Sequence, residues 1–380
     1  MKKYARVLLV VGIASAALAV PLVVADKKIL AADYVAHEWG TFTSVQGADG
    51  VQFGWNPFVA PELPKFVYDV ASIRDPKIAP VLPAFSHFSK IRMASRQRME
   101  TPVIYFYSEK ERTVDVDVQF NGGRITEWYP QLTNQKSQDG AEQHEKFLFY
   151  RGVAEFEAPL RVMQFGDNAE AVMLTNNAKQ PFSAVWLYSV RGDRAALMPL
   201  GSLKAGECRQ TGFNFDELAR PLSEVRADIA TRMRAALVSD GLYEKEAAAM
   251  VKTWDDSWFA ESGTRVLYTL PQQWTDGILP LTIIPAPKEV RRVFVGRAEM
   301  ITPAMDWTLF REVVRYADGD AATKSAAVKA VQALGLGRFT APAVTRIAQL
   351  GPQAAPFRNA ISGLIESIRP PVPGPLAKAQ

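Results

Sequence analysis

Cysteine is nearly absent: Cys208 stands alone among 380 residues, so no intramolecular disulfide can form. Such a chain must hold itself together by burying apolar surface, and a hydrophobic content of 48% over this length is enough to do so. Histidine is almost as scarce, with only His37, His87 and His144, far apart in sequence. A closed zinc site would need most of them to converge with a carboxylate, so no metal is expected. The chain also lacks a G-x-S-x-G elbow, an H-E-x-x-H helix, a phosphate-binding glycine loop and a C-x-x-C pair. No cofactor is expected. A Ser-His-Asp triad stays open, because triads assemble in space rather than in sequence.

Charge of one sign is missing too. The formal net charge of +4 falls to +1 without residues 1–25, which hold Lys2, Lys3 and Arg6 and no acidic group. Nucleic-acid binding, which needs a face dense enough to displace several counterions, is therefore not expected. The one local cluster, Lys90, Arg92, Arg96 and Arg98, reads as a solvated face.

Those first residues, MKKYARVLLVVGIASAALAVPLVVA, place three basic groups ahead of an apolar run from Val7 to Ala25, the layout of a secretory signal. Cleavage is expected after Ala19 or Ala25, giving a periplasmic or secreted protein with no remaining membrane span. Uncleaved, the run would act as an N-terminal anchor.

From Tyr34 to about Leu200 the text is strand-like, with short Val, Ile, Phe, Tyr and Thr runs broken by Gly, Asn, Asp and Pro. Thr113 to Phe120 alternates strictly, with Val114, Val116, Val118 and Phe120 on one face, and Asn121-Gly122 supplies a tight hairpin turn. Further strands are expected at 102–108, 146–151, 169–175, 183–190 and 195–203. The five prolines between Phe58 and Met99 mark a long excursion, a candidate wall or lid of a cleft. After Gly212 the period changes: Leu218, Leu222, Val225, Ile229, Met233 and Leu237 recur at helical spacing until Gly241. Ala247, Val251, Trp254 and Trp258 share one face of a second helix. Strands resume at 264–270, 281–285 and 292–301, and alanine-rich helices fill 307–368.

The expected fold is therefore α+β. An antiparallel β-sandwich or jelly-roll-like domain (33–212) follows the signal peptide (1–25); then come a helical hairpin packed on a sheet (213–302), a small helical region (303–368) and a disordered proline-rich tail (369–380).

Two Glu-Trp pairs hold the candidate chemistry, in HEWGTFTSVQG and TEWYP. In a regular strand Glu38 and Phe42 point one way with Tyr34, while His37, Trp39 and Thr41 point the other. A His37–Glu38 metal pair therefore requires a bulge, and Gly40 is where one could sit. With a two-residue turn at Asn121-Gly122, Val116 faces Glu127 and the carboxylate lies on the apolar face; enlarging the turn by one residue sends Trp128 inward instead. A buried Glu127 must be bonded, paired or protonated, and a raised pKa suits a general acid. Glu38 and Glu127 facing each other could hydrolyse a glycoside if about 5 to 9.5 Å apart, with Trp39 and Trp128 stacking on sugar rings. The alternative is that these aromatics are core and rim of a sandwich. Asp255 and Asp256, near a helix end, are either a cation site or a solvated face, and a local ion pair accounts for Glu100.

At HEWGTFTSVQG, RMETPVIYFYS, GGRITEWYP and GTRVLYTLPQQWTDGILPL the chain resembles a group of exported bacterial proteins over most of residues 34–300. The resemblance implies export and a shared fold, and brings no activity, cofactor or catalytic residue with it.

The sequence thus points to an exported envelope protein, monomeric or weakly associating, that binds a glycan or another envelope component through an aromatic-lined cleft formed by His37, Trp39, Trp128 and Tyr129. The rival readings are a hydrolase using Glu38 and Glu127, and a structural scaffold whose terminal helices dock a partner.

Overall fold

The computed structural model describes residues 6–10, 32–54, 68–69, 96–130 and 147–368. The strands in chain order are β1 (Arg6–Val10), β2 (Ala32–Gln46), β3 (Tyr68–Asp69), β4 (Gln97–Tyr107), β5 (Thr113–Val118), β6 (Gly123–Tyr129), β7 (Phe147–Ala154), β8 (Leu160–Phe165), β9 (Ala171–Asn176), β10 (Phe182–Arg191), β11 (Arg194–Leu203) and β12 (Cys208–Gly212). A short helix α1 (Phe215–Leu218), β13 (Arg220–Pro221), α2 (Leu222–Ser239) and α3 (Glu244–Asp255) follow, then β14 (Gly263–Leu270), α4 (Gln272–Ile278), β15 (Leu281–Ile284) and β16 (Pro287–Met300). Helices α5 (Pro303–Asp318), α6 (Ala321–Ala333), α7 (Thr340–Leu350) and α8 (Ala355–Ile368) close the described chain.

The frame is one ten-stranded sheet in the order β13-β11-β10-β14-β16-β2-β4-β7-β6-β3. Its strands run antiparallel except at the centre, where β2 lies parallel to β16. The mixed α+β class is as expected. Strands β14 and β16, from beyond residue 212, lie in the same sheet as β2, β4, β7, β10 and β11.

Both faces of the sheet are covered, so a strand such as β2 buries alternate side chains in two different cores. Tyr34, Ala36 and Phe42 pack on one face with Val114, Val116 and Val118 of β5 and with Leu160, Val162, Val172 and Leu174 of β8 and β9. These belong to two three-stranded sheets, β1-β5-β15 and β12-β9-β8. Trp39 packs on the other face, under α2 and α3. There Val225, Ile229, Met233 and Leu237 of α2 are fully buried, as their helical spacing predicts. Trp254 stacks on Trp258 at 5.3 Å, and Trp39 meets Trp254 edge-on at 5.5 Å. A third core, at the end of β2, joins Val45, Phe53 and Ile301 to helices α5 to α8.

Two local expectations fail for identifiable reasons. The turn at Asn121-Gly122 forms, with Gly122 at φ +71 and the Gly123 N–H donating to the Phe120 carbonyl at 3.1 Å. It does not make a hairpin: β5 pairs with β15 and β1, whereas β6 pairs with β7 and β3. The chain turns a corner between two sheets, so the register deduced for Glu127 does not exist. The other concerns Gly40. Its pairing with Phe294 is regular, and the irregularity lies opposite, in β4 between Glu100 and Val103. A Cβ at Gly40 would lie 2.7 Å from the Phe294 ring and 3.1 Å from Pro102 Cα, so close packing accounts for the glycine.

The excursion expected at 58–99 falls mostly outside the described residues, as does the tail at 369–380. Of the signal segment, only Arg6–Val10 is described, its backbone parallel to β5. Among the described residues no helix is long and apolar enough to cross a membrane.

Candidate functional site

The starts of β2 and β16 and the end of β4 meet at one end of the sheet, with Val35 opposite Tyr107 and Ala32 opposite Pro287. Between them opens a cleft of about 600 Å³, lined by Tyr34, Tyr105 and Tyr107 and edged by Asp33, Lys110 and Lys288. Tyr34 is fixed by its hydroxyl, which donates to the Pro285 carbonyl at 2.5 Å, and by the Arg112 guanidinium 4.5 Å above its ring. Burial pushes this phenol up to about 12, with Arg112 pulling the other way. Tyr105 is half-buried, also pushed up by burial, and Tyr107 is exposed.

Tyr107 connects the cleft to a buried histidine. Its hydroxyl donates to Glu246 Oε1 at 2.6 Å, and His37 Nδ1 lies 2.7 Å from Oε2 of the same carboxylate. Glu246 is placed by helix geometry: it is the third residue of α3, and its Oε2 accepts the Tyr243 backbone N–H at 2.8 Å. Burial alone would raise its pKa. The hydrogen bonds from His37, Tyr107 and Tyr243 outweigh that, and the carboxyl sits below the ordinary range. An ionised carboxylate requires that Nδ1 carry the proton, which leaves Nε2 of a neutral His37 as an acceptor. The imidazole is held between Tyr243, 4.4 Å away, and Tyr107, 5.3 Å away. Burial and the Glu246 acceptor push the Tyr107 phenol well above its usual value.

Strand parity separated His37 from Glu38, and the two do face opposite cores. Glu38 is fully buried on the side of the three-stranded sheets, where Oε2 accepts from Arg292 Nε at 2.5 Å and Oε1 accepts from the Tyr150 hydroxyl. Arg292 stands directly opposite it on β16 and also donates to Asp276 and to the Leu279 carbonyl. Glu127 lies on the helix-covered face, two residues before Tyr129 and opposite Arg151, with the Thr126 hydroxyl donating to it. Glu38 and Glu127 are three strands apart, which at ~4.8 Å per strand is about 14 Å, and they face opposite ways. They do not form a carboxylate pair across a cleft, and neither opens to solvent.

The aromatic partners are placed differently from the expectation as well. Trp39, Trp128 and Tyr129 are 3%, 2% and 8% exposed and belong to the cores, with Trp128 on one face and Tyr129 on the other. Asp255 and Asp256 both accept from Arg226, a partner that neither the cation-site nor the solvated-face reading named. Arg98, read as part of a solvated face, is 5% exposed. Tyr105, Tyr107 and Glu246 were not singled out by the sequence, although Tyr105-Phe106-Tyr107 alternates in and Tyr243-x-x-Glu246 has the spacing of a helix cap. The scaffold reading requires exposed apolar groups over 307–368, and Trp307, Val314 and Leu350 are exposed there. Among the described residues no group of three or more His, Cys, Asp or Glu is arranged to hold a metal.

No protein-family model matches the chain, and no curated protein is similar to it. Solved structures with some likeness include the yeast delta-COP-I mu-homology domain, at 6% identity and TM-score 0.28, over 71% of this chain and 96% of that one. The same domain complexed with a Dsl1 WxWxV peptide aligns at 6% identity and TM-score 0.27, over the same shares. The Fcho1 mu homology domain from Danio rerio, with a bound Eps15 peptide, aligns at 7% and 0.28, over 71% of this chain and 97% of its own. Scores this low carry nothing about the fold or role of this chain.

Proposed function

We propose that this is an exported envelope protein that binds a glycan or a related envelope component in the tyrosine cleft. The observation behind this reading is the cleft itself: about 600 Å³, with the phenol rings of Tyr105 and Tyr107 beside charged groups. Clefts of ~300–1,000 Å³ suit a small ligand, and flat rings bordered by hydrogen-bonding groups suit the apolar face and the hydroxyls of a sugar. Binding thus shifts from the Trp39 and Trp128 expected from sequence to tyrosines on β2 and β4. Export rests on the N-terminal segment and is tested by cell fractionation with N-terminal sequencing of the mature chain.

The binding test is calorimetric titration of the exported chain with neutral and acidic envelope oligosaccharides, repeated with Tyr105→Ala. Losing one stacking ring should weaken binding about tenfold, equivalent to ~1.4 kcal/mol. Binding that is absent across the panel, or unchanged in Tyr105→Ala, removes the glycan reading.

A further inference from the structure

A smaller cavity, of about 160 Å³, opens where the end of α2 meets β10, β14 and β16, and it shares no lining residue with the tyrosine cleft. Pro181, Leu270, Pro271 and Val293 give it apolar walls, and Ser183, Asp240 and Thr269 give it oxygen atoms. Asp240 is the C-cap of α2, at the end where helix carbonyls carry partial negative charge, and no basic residue occupies that last turn. The position suits a cation.

The protons of these groups are spent on one another. The Ser183 hydroxyl donates to Asp240 Oδ2 at 2.7 Å. Having used its one proton there, Ser183 must accept from the Thr269 hydroxyl 2.5 Å away, and Thr269 in turn accepts the Ala184 N–H at 3.1 Å. Gln272 turns its amide to the β16 backbone, donating to the Val290 carbonyl and accepting the Arg292 N–H. Arg292 borders the cavity from β16, but strand alternation sets its side chain opposite to that of Val293, on the face of Glu38, which it holds. The cavity is left with a carboxylate and hydroxyl lone pairs. Among the described residues no lysine, arginine or histidine pairs with Asp240, and Arg291, which passes beside Gly241, is held by Glu289 at 2.5 Å. Burial raises the Asp240 pKa; the Ser183 and Thr269 hydroxyls pull the other way, and no neighbouring charge enters the balance. A half-buried carboxylate in this state is relieved by a counter-charge.

We propose that this cavity binds a primary ammonium group on a short carbon chain, its N–H donors directed at Asp240 and Ser183 and its carbons against the proline and leucine walls. The volume is that of several water molecules at ~30 Å³ each, enough for an ammonium with two or so carbons. A hard metal ion takes about six oxygens or more, whereas one carboxylate and two hydroxyls converge here. The site is separate from the tyrosine cleft, so its test says nothing for or against glycan binding.

The test is thermal unfolding of the full chain in ethylammonium chloride against tetramethylammonium chloride, which has no N–H to donate, and potassium chloride, all at equal ionic strength. Wild type should gain about 2 °C in ethylammonium alone, saturating as a binding isotherm. Asp240→Asn should lose that gain, since it keeps an acceptor for Ser183 but not the charge, and Ser183→Ala should weaken it. Equal unfolding temperatures in ethylammonium and tetramethylammonium overturn the proposal, as does an Asp240→Asn protein that keeps the gain. If Asp240→Asn does not fold, Ser183→Ala decides, and an undiminished gain there overturns the site. A gain in potassium as large as that in ethylammonium, lost in Asp240→Asn, overturns the ammonium assignment in favour of a metal cation.

Discussion

Two groups of buried carboxylates and arginines occupy opposite faces of one sheet, and they differ in how their charges are matched. On the face toward the three-stranded sheets, Glu38 and Arg292 stand directly across from each other on β2 and β16, and Tyr150 takes the second carboxylate oxygen. Burial lowers the Arg292 pKa, but Glu38 and Tyr150 outweigh it and hold the guanidinium above its ordinary value. On the helix-covered face the charges form a chain across several strands, and Arg98 lies at the end with its Nη1 unpartnered. Each group leaves a guanidinium nitrogen unbonded, Arg292 Nη2 on one face and Arg98 Nη1 on the other; what differs is that Glu38 takes its cation at hydrogen-bond length, whereas Glu100 lies 3.7 Å from Arg98.

The largest effect that would separate the two is expected at the matched pair. Arg292→Leu leaves Glu38 buried without its cation and should lower unfolding stability by about 3–5 kcal/mol in urea titration. A loss below about 1 kcal/mol would show that the pair is not the fastener its geometry indicates. Next comes Glu100, in the longer chain. Burial raises its pKa, but Arg98, Arg338, Arg297 and Arg151 outweigh that and lower it from 4.5 to about 2. A depressed carboxyl pKa contributes stability that is whole above the unfolded value and is lost as pH falls toward the folded one. Between pH 4.5 and 2, wild type should therefore lose up to about 3 kcal/mol that Glu100→Gln does not lose, measured by denaturation at stepped pH. The smallest effect is expected at Arg226, which holds Asp255 and Asp256 at the surface: Arg226→Ala should cost less than about 1 kcal/mol. A larger loss there would mean that exposure is not what weakens an ion pair in this protein.

The sequence was most legible where local periodicity is the cause of structure. The α2 register, the alternation of Val114, Val116 and Val118, and the split between His37 and Glu38 all follow from the geometry of a single element. What it could not convey is pairing between distant segments. Nothing in TVDVDVQFNGGRITEWY announces that β5 and β6 part into different sheets, because the turn residues suit a corner as well as a hairpin. A covered second face also defeats the rule that the polar side of a strand is wet. Arg98, Glu100 and Glu127 are therefore polar by type and buried by position. The cleft was missed for a related reason: Tyr107 and Tyr105 reach Val35 and His37 only because β2 and β4 pair antiparallel, and Glu246 reaches His37 across 209 residues of chain.

The parallel pairing of β2 with β16 has a consequence in time. Residues 35–43 find one neighbour in residues 98–107, close in the chain, and the other only when residues 289–297 arrive. Closing a loop of that length is slow relative to local contacts, so the centre of the sheet is among the last parts to form. A nascent chain held open in this way leaves one edge of β2 unpaired until β16 is made, and an unpaired strand edge is where a chain is most exposed to aggregation.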